Sequence, residues 1–203
     1  MPRSDGAATR DALAAAAGRS FARTGYQSAT TAAIAAEAGV SEATLFKHYG
    51  TKQALLIAAL ERARASVRAA VGAAAGEAGP EPLGGFERLA VALLLDPAFA
   101  EITRLRAFAL AQTSEPGIVA ALRQARSELR ETLATLFAGW QAQGLVRADV
   151  SPEHMADLAL GLTFVAAWDL AIDPDEAHEQ IPALVADTIT LLRPASQEGF
   201  PDA

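Results

Sequence analysis

The sequence predicts an all-α protein of about nine helices, and three observations carry that prediction. Apolar residues recur at intervals of three and four along nearly the whole chain, as in Leu129, Leu133, Leu136, Phe137 and Trp140. Alanine, the strongest helix former, is abundant throughout. Breaks rich in glycine and proline fall between the periodic runs, and no run alternates as a hairpin strand would.

The elements follow in order. A first helix over 7–24 ends before Gly25, and two short helices over 31–37 and 42–48 are separated by Gly39 and closed by Gly50. Helices over 52–75, 82–95 and 98–112 are divided by "GEAGPEP" at 76–82 and by Pro97. The remaining helices, 116–142, 152–171 and 176–192, are bounded by "SEPG" at 114–117, "QGLVRADVSP" at 143–152 and "DPD" at 173–175. Residues 194–203 read as a frayed tail. No repeat of solenoid period occurs.

Composition narrows the function classes. With 203 residues, 51% hydrophobic and 20% charged, the chain can bury a sizeable core as one large domain, or as one small and one larger domain. It has no cysteine, which excludes a disulfide framework, thiolate metal ligands and a cysteine nucleophile, and agrees with a reducing cytosol. Arg10, Asp11, Arg19 and Arg23 interrupt the apolar residues near the start, so no export signal is read there. The most apolar stretch, 155–172, carries Asp157 and Asp169 and reads as a buried or interface helix rather than a membrane span. A soluble cytoplasmic protein is expected.

Residues 1–56 hold six Lys/Arg against four Asp/Glu, a net +2, whereas the remainder holds eleven against twenty, a net −9. A head able to meet a polyanion is one reading of that asymmetry, and ordinary scatter is the other.

Helices of about seven residues do not persist alone, because isolated helices below roughly 12–15 residues are marginal in water. Those over 31–37 and 42–48 therefore need packing. Ile34, Ala35 and Ala38 leave room for close approach, and Gly39 supplies a turn at positive φ. Ser41 and Thr51 stand as N-caps for the helices that follow them. Helix, glycine turn and capped short helix make a helix-turn-helix.

On a helix begun at Ser41, positions 41, 44, 47 and 48 fall within an arc of roughly 120°. Thr44, Lys47 and His48 then share a face that can donate to base edges or phosphates in a major groove. Leu45 and Tyr49 turn inward on Ile34, Val40 and Phe21. Lys52, a cation in the first turn of the next helix, opposes the helix dipole. Either a phosphate sits at that N-terminus, or the side chain points into solvent.

"FARTGYQSATTAAIAAEAGVSEATLFKHYGTKQALL", residues 21–56, resembles the DNA-binding head of the TetR family of transcriptional regulators. The resemblance implies a three-helix head over 1–51 and a helical effector-binding and dimerisation body over 52–193. It also implies a two-fold homodimer on double-stranded operator DNA and a small-molecule effector. Carried over by position, Thr31 would meet a phosphate, Thr44 and Lys47 would face the DNA, His48 would reach backbone or base, and Lys52 would hold a phosphate. Ser41 completes this polar face. Ala43 stands where the family often has glycine, and is small enough to preserve close approach to the groove. Phe46 lacks the hydroxyl of the family's usual tyrosine, while Tyr49 replaces the usual phenylalanine and could restore a hydroxyl one turn away. Glu42 either accepts from a cytosine amino group or stands as a solvated helix-start carboxylate.

In the body, Phe108, Phe137, Trp140, Phe164 and Trp168 are the candidates to line an effector pocket, with Arg104, Gln112, His154 or Asp169 as polar groups. The ligand expected is mainly hydrophobic. His154 and His178 stand in no cluster of metal-ligand spacing, and no cofactor is implied. The helices near 152–171 and 176–192 are apolar around nearly their whole circumference, which calls for burial against a second subunit. No nucleophile elbow, phosphate-binding glycine loop or His-Glu-x-x-His helix is present, so an enzyme is not expected. Two regulators remain in view: a repressor released by its effector, and a helix-turn-helix protein without effector control.

Overall fold

The structure is a computed structural model that describes residues 3–76, 82–112 and 114–194. The described residues form nine helices and no strand. They are α1 (Arg3–Ser28), α2 (Thr31–Glu37), α3 (Glu42–Tyr49), α4 (Lys52–Gly76), α5 (Pro82–Leu94), α6 (Pro97–Leu110), α7 (Pro116–Ala142), α8 (Pro152–Ile172) and α9 (Pro174–Leu192). Each predicted helix is present with ends shifted by a few residues. Most of the break at 76–82 and residues 195–203 of the expected tail lie outside the described residues.

Contacts group the chain into two compact units, Met1–Ala70 with Leu94–Leu129, and Val71–Leu93 with Arg130–Ala203. The first holds α1 to α3 entire. Its core is built on α1, where Leu13, Ala17 and Phe21, one turn apart, are completely buried. Ile34 and Ala35 of α2, Leu45 of α3 and Leu55, Leu56 and Ala59 of α4 close over them, with Leu105 and Ala109 of α6 in the same cluster. Helical periodicity reports this inward stripe directly.

α1 continues past its predicted end but breaks its helical geometry at Gly25, which has φ 76° and ψ 164°. Positive φ, which strains other residues, keeps glycine there; a Cβ would meet the ring of Phe108 at 3.4 Å, an ordinary contact.

In the second unit, Phe137 and Trp140 of α7 meet Phe86 of α5 edge to face, with ring centroids 5.3–6.0 Å apart. α8 and α9 form a helical hairpin around Asp173, which ends one helix and caps the other by accepting from the Glu176 backbone N–H at 3.1 Å. α9 buries Ala177, Ile181, Val185, Ile189 and Leu192 in a single stripe. α8 divides differently. Met155, Ala156, Leu160 and Ala166 are buried, while Leu158, Phe164, Val165, Trp168 and Ile172 are exposed on this chain. No described helix is long and apolar enough to cross a membrane.

Candidate nucleic-acid interface

The helix-turn-helix is fastened at each end by its own sequence. Thr30 caps α2 by accepting from the Ala33 N–H at 3.2 Å. At its C-terminus, Val40 N–H donates to the Ala35 carbonyl and Gly39 N–H to that of Ala36, at 3.0 and 3.1 Å, with Gly39 at φ 72°. This pair of bonds is a Schellman motif, and it sets the turn between the two helices. Ser41 caps α3 by accepting from Thr44 N–H at 3.1 Å, and Thr51 Oγ1 accepts from Ala54 N–H at 3.0 Å at the start of α4. Two side-chain caps and a Schellman turn hold helices of seven and eight residues that would not persist alone.

Leu45, fully buried, fixes the rotation of α3. At 100° per residue, Ala43 and Lys47 project almost opposite it, with Phe46 beside them. These three are exposed, as is Glu42, whereas Thr44 and His48 are half-buried on the flank. The outward face is thus centred on Ala43, Phe46 and Lys47 rather than on Thr44, Lys47 and His48. Phe46, 45% exposed, was absent from the predicted face. Anchoring the helical wheel on Leu45 as a core residue, instead of on the polar cluster, brings it into view.

Several predicted contacts already have partners within the head. The Thr31 hydroxyl donates to the Glu42 carboxylate at 2.5 Å, tying the start of α2 to the start of α3. Tyr49 donates its hydroxyl to the Arg10 carbonyl at 2.8 Å, and the Arg10 guanidinium lies 4.8 Å above its ring. Its only O–H is therefore given to α1, contrary to the expectation that it compensates for the hydroxyl missing at Phe46. Arg10 also donates to the His48 carbonyl at 3.0 Å. Lys52 Nζ donates to the Gln27 carbonyl at 3.2 Å and lies 4.8 Å from the Tyr26 ring centroid, and burial pulls its pKa below the usual lysine range. The lysine points neither freely into solvent nor solely at a ligand: it holds the end of α1 against α4. Ser41 Oγ is engaged as a cap and also bonds Thr44 Oγ1 at 2.9 Å.

A charged clamp supports the rear of α2. Glu37 accepts from Arg19 Nε at 2.7 Å and from an Arg23 terminal nitrogen at 2.8 Å, joining α2 to α1. The hydrogen bond from Arg23 is the principal cause holding its pKa below the ordinary glutamate value, with Arg19 adding to it against a smaller opposing effect of burial. A depressed carboxylate stabilises the fold above its unfolded pKa, and that contribution disappears as pH falls through the folded value. Between pH 7 and a pH below about 4, the wild-type head should therefore lose more thermal stability than Glu37→Gln does. Equal losses in both proteins, followed by circular dichroism, would count against the clamp.

The predicted pocket aromatics are distributed over both units. Phe137 and Trp140 are buried and pack edge to face with Phe86. Phe108 lies in the other unit against Gly25, and Phe164 and Trp168 project from α8 with 49% and 69% exposure. Aromatic spacing along helices specifies periodicity, not which helices meet. Within the first unit a partly open cavity of about 20 Å³, room for about one water, lies between α4, α6 and α7. Its walls include Leu60, Val67, Ile102, Leu122 and Leu129, and its polar groups are Arg64, Arg68, Arg106 and Glu128. Arg104, expected as a polar pocket group, is exposed; Arg106, two residues on, lines the cavity, and burial lowers its pKa.

A capped helix-turn-helix with an exposed second helix on a helical body defines a DNA-binding transcriptional regulator of the helix-turn-helix class. Residues 13–59 match the family model described as "Bacterial regulatory proteins, tetR family". The chain thus carries a tetR-family head over those residues. Its fold is similar to that of a putative TetR-family transcriptional regulator from a Rhodococcus species, with 21% identity over 90% of this chain and 99% of that one and a TM-score of 0.74. A TetR-family regulator from Pectobacterium atrosepticum is 24% identical over 95% of this chain and 98% of that one, with a TM-score of 0.70. A TetR regulator from Chloroflexus aurantiacus is 22% identical, covering 93% and 97%, with a TM-score of 0.71. No curated protein matches the chain.

Proposed function

We propose that the protein is a non-enzymatic cytoplasmic repressor that binds a pseudo-palindromic operator as a homodimer and is released by a small effector. The observation that carries this reading is the outward face of α3, where Ala43, Phe46 and Lys47 stand clear of a helix locked by Leu45 and two caps. A helix so presented fits a B-form major groove, with Lys47 and Thr44 donating to acceptors there and Phe46 offering an apolar contact to thymine methyls. Residues 1–51 would serve as the DNA-binding domain and 52–193 as the effector-binding and dimerisation domain. Dimerisation through α8 and α9 is supported by the apolar side chains that α8 leaves exposed. Two copies of α3 would enter successive major grooves roughly 34 Å apart, or a multiple of that. An effector that prefers the splayed dimer would weaken operator binding by its differential affinity for the two states.

Thr31 and Glu42 enter this reading as a pair. A phosphate at the start of α2 would compete with the Glu42 carboxylate for the Thr31 hydroxyl, and DNA binding would free Glu42 to accept from a cytosine amino group. Lys52 would act through a phosphate while remaining fixed by Gln27 and Tyr26.

Selection of bound duplexes from a random pool by the purified protein should recover one inverted repeat; featureless recovery would mean that α3 reads no bases. On the recovered site, Lys52→Ala should weaken binding to all sequences and lower the salt slope by about one. Lys47→Ala should instead change base preference. A Lys52→Ala protein with an unaltered salt slope would remove that lysine from the phosphate contacts.

A further inference from the structure

Of the 17 lysines and arginines in the chain, only two are lysines, Lys47 on α3 and Lys52 at the start of α4. A lysine amine that sheds its proton is a nucleophile, whereas a guanidinium stays charged. The two amines stand in different surroundings. Lys52 Nζ is half-buried, donates to the Gln27 carbonyl at 3.2 Å and lies 4.8 Å from the Tyr26 ring centroid. Burial lowers its pKa and so favours the free amine, but its lone pair meets an electrophile only if the nitrogen leaves both the carbonyl and the ring. Lys47 is exposed and has no hydrogen-bond or ion-pair partner among the described residues. The positions three and four away, Ala43, Thr44, Gly50 and Thr51, hold no carboxylate that would engage it. Ala43, one turn back, also leaves the space beside its stem open.

We infer that Lys47 is a site of Nζ-acylation by small activated acyl groups, acyl phosphates or acyl thioesters, and that acylation switches off the outward face of α3. The switch rests on the DNA-binding reading proposed above; the site does not. In the step, Lys47 Nζ gives one proton to solvent and attacks the acyl carbonyl carbon. A C–N bond forms as the C–O bond to phosphate, or the C–S bond to the thiol, breaks. The departing group takes the electron pair and the second amine proton, so no oxidant or reductant is needed. The side chain changes from a cation with three donors to a neutral amide with one. It then neither neutralises a phosphate nor offers a charged donor to guanine O6 and N7, and the added acyl carbons stand between α3 and the groove. Lys52 keeps its charge, so the loss falls on α3 alone.

Acetyl phosphate and acetyl-CoA, each incubated with the full-length protein at mildly alkaline pH without DNA, supply the two kinds of donor. Peptide mass spectrometry reads the acetyl occupancy of Lys47 and Lys52 separately. With at least one donor, Lys47 should react several-fold faster than Lys52, and the two rates should converge in denaturant, where access is equal. Reaction with acetyl phosphate alone, acetyl-CoA alone or both upholds the site and identifies the donor. No reaction at Lys47 with either donor, equal or faster reaction at Lys52 in the folded protein, or a preference that persists in denaturant would overturn it. On a duplex recovered by selection, acetylated wild type should bind about tenfold more weakly than untreated protein. Lys47→Arg, whatever its own affinity, should bind equally before and after the same treatment. Operator affinity that survives full acetylation of Lys47, or a loss in treated Lys47→Arg equal to that of wild type, would overturn the switch. If selection recovers no duplex, the DNA-binding reading fails, while the occupancy of the two lysines still decides the site.

Discussion

Trp168→Asp should convert the protein to a monomer and weaken its binding to a full inverted repeat by roughly 10²–10⁴-fold, while leaving half-site binding unchanged. The size of the effect follows from the position. Trp168 is 69% exposed on one chain and stands near the middle of a run that includes Leu158, Val165 and Ile172, spaced seven, three and four residues apart along α8. Fully burying a large apolar side chain contributes about 1.5–3 kcal/mol, so a pairing of two such faces accumulates enough to hold a dimer. A carboxylate at the centre would have to be desolvated without a partner, which reverses the sign of that contribution. In the proposed dimer two heads would bind the repeat as linked ligands, and separating them would remove the advantage of linkage without touching α3. Sedimentation and operator titration check the two halves independently. A Trp168→Asp protein that remained dimeric would move the interface elsewhere.

Phe137→Ala should destabilise the protein by about 3–5 kcal/mol, the usual cost of emptying a buried aromatic site. At about 2–4 °C per kcal/mol for a chain of this length, that is a fall in melting temperature of roughly 6–20 °C. Phe137 is completely buried and contacts two rings edge to face, Phe86 at 6.0 Å and Trp140 at 5.6 Å. Both lose a partner when it is removed, and the cavity left between helices can collapse only partly. The same residue was a candidate for an effector pocket, and the variant separates the two roles. Lost stability with an intact effector response identifies a core residue. An unchanged melting temperature with an altered response would restore the pocket assignment.

The two predictions concern aromatics that look alike in sequence. Phe137 and Trp168 both recur at helical spacing within alanine-rich runs, yet one is sealed in a ring cluster and the other projects from its chain. Periodicity states that a helix has an apolar stripe but not which stripe faces it. For α3 the ambiguity was smaller, because the caps, the glycine turn and Leu45 lie within a dozen residues. Even there, counting from the polar cluster rather than from Leu45 turned the face away from Phe46. The bonds from Tyr49 to Arg10 and from Lys52 to Gln27 join residues 39 and 25 positions apart, beyond the reach of any local pattern.

What the sequence by itself determined was the set of helices, their caps and turns, and the helix-turn-helix that matches the tetR-family head. Those features depend on interactions within a few residues, where side-chain type and spacing carry the physics. Only the tertiary structure decided which aromatics are core, which arginine lines the cavity, and which hydroxyls in the head already have acceptors. These depend on the rotation and packing of helices distant in sequence, settled by the burial of the whole set at once.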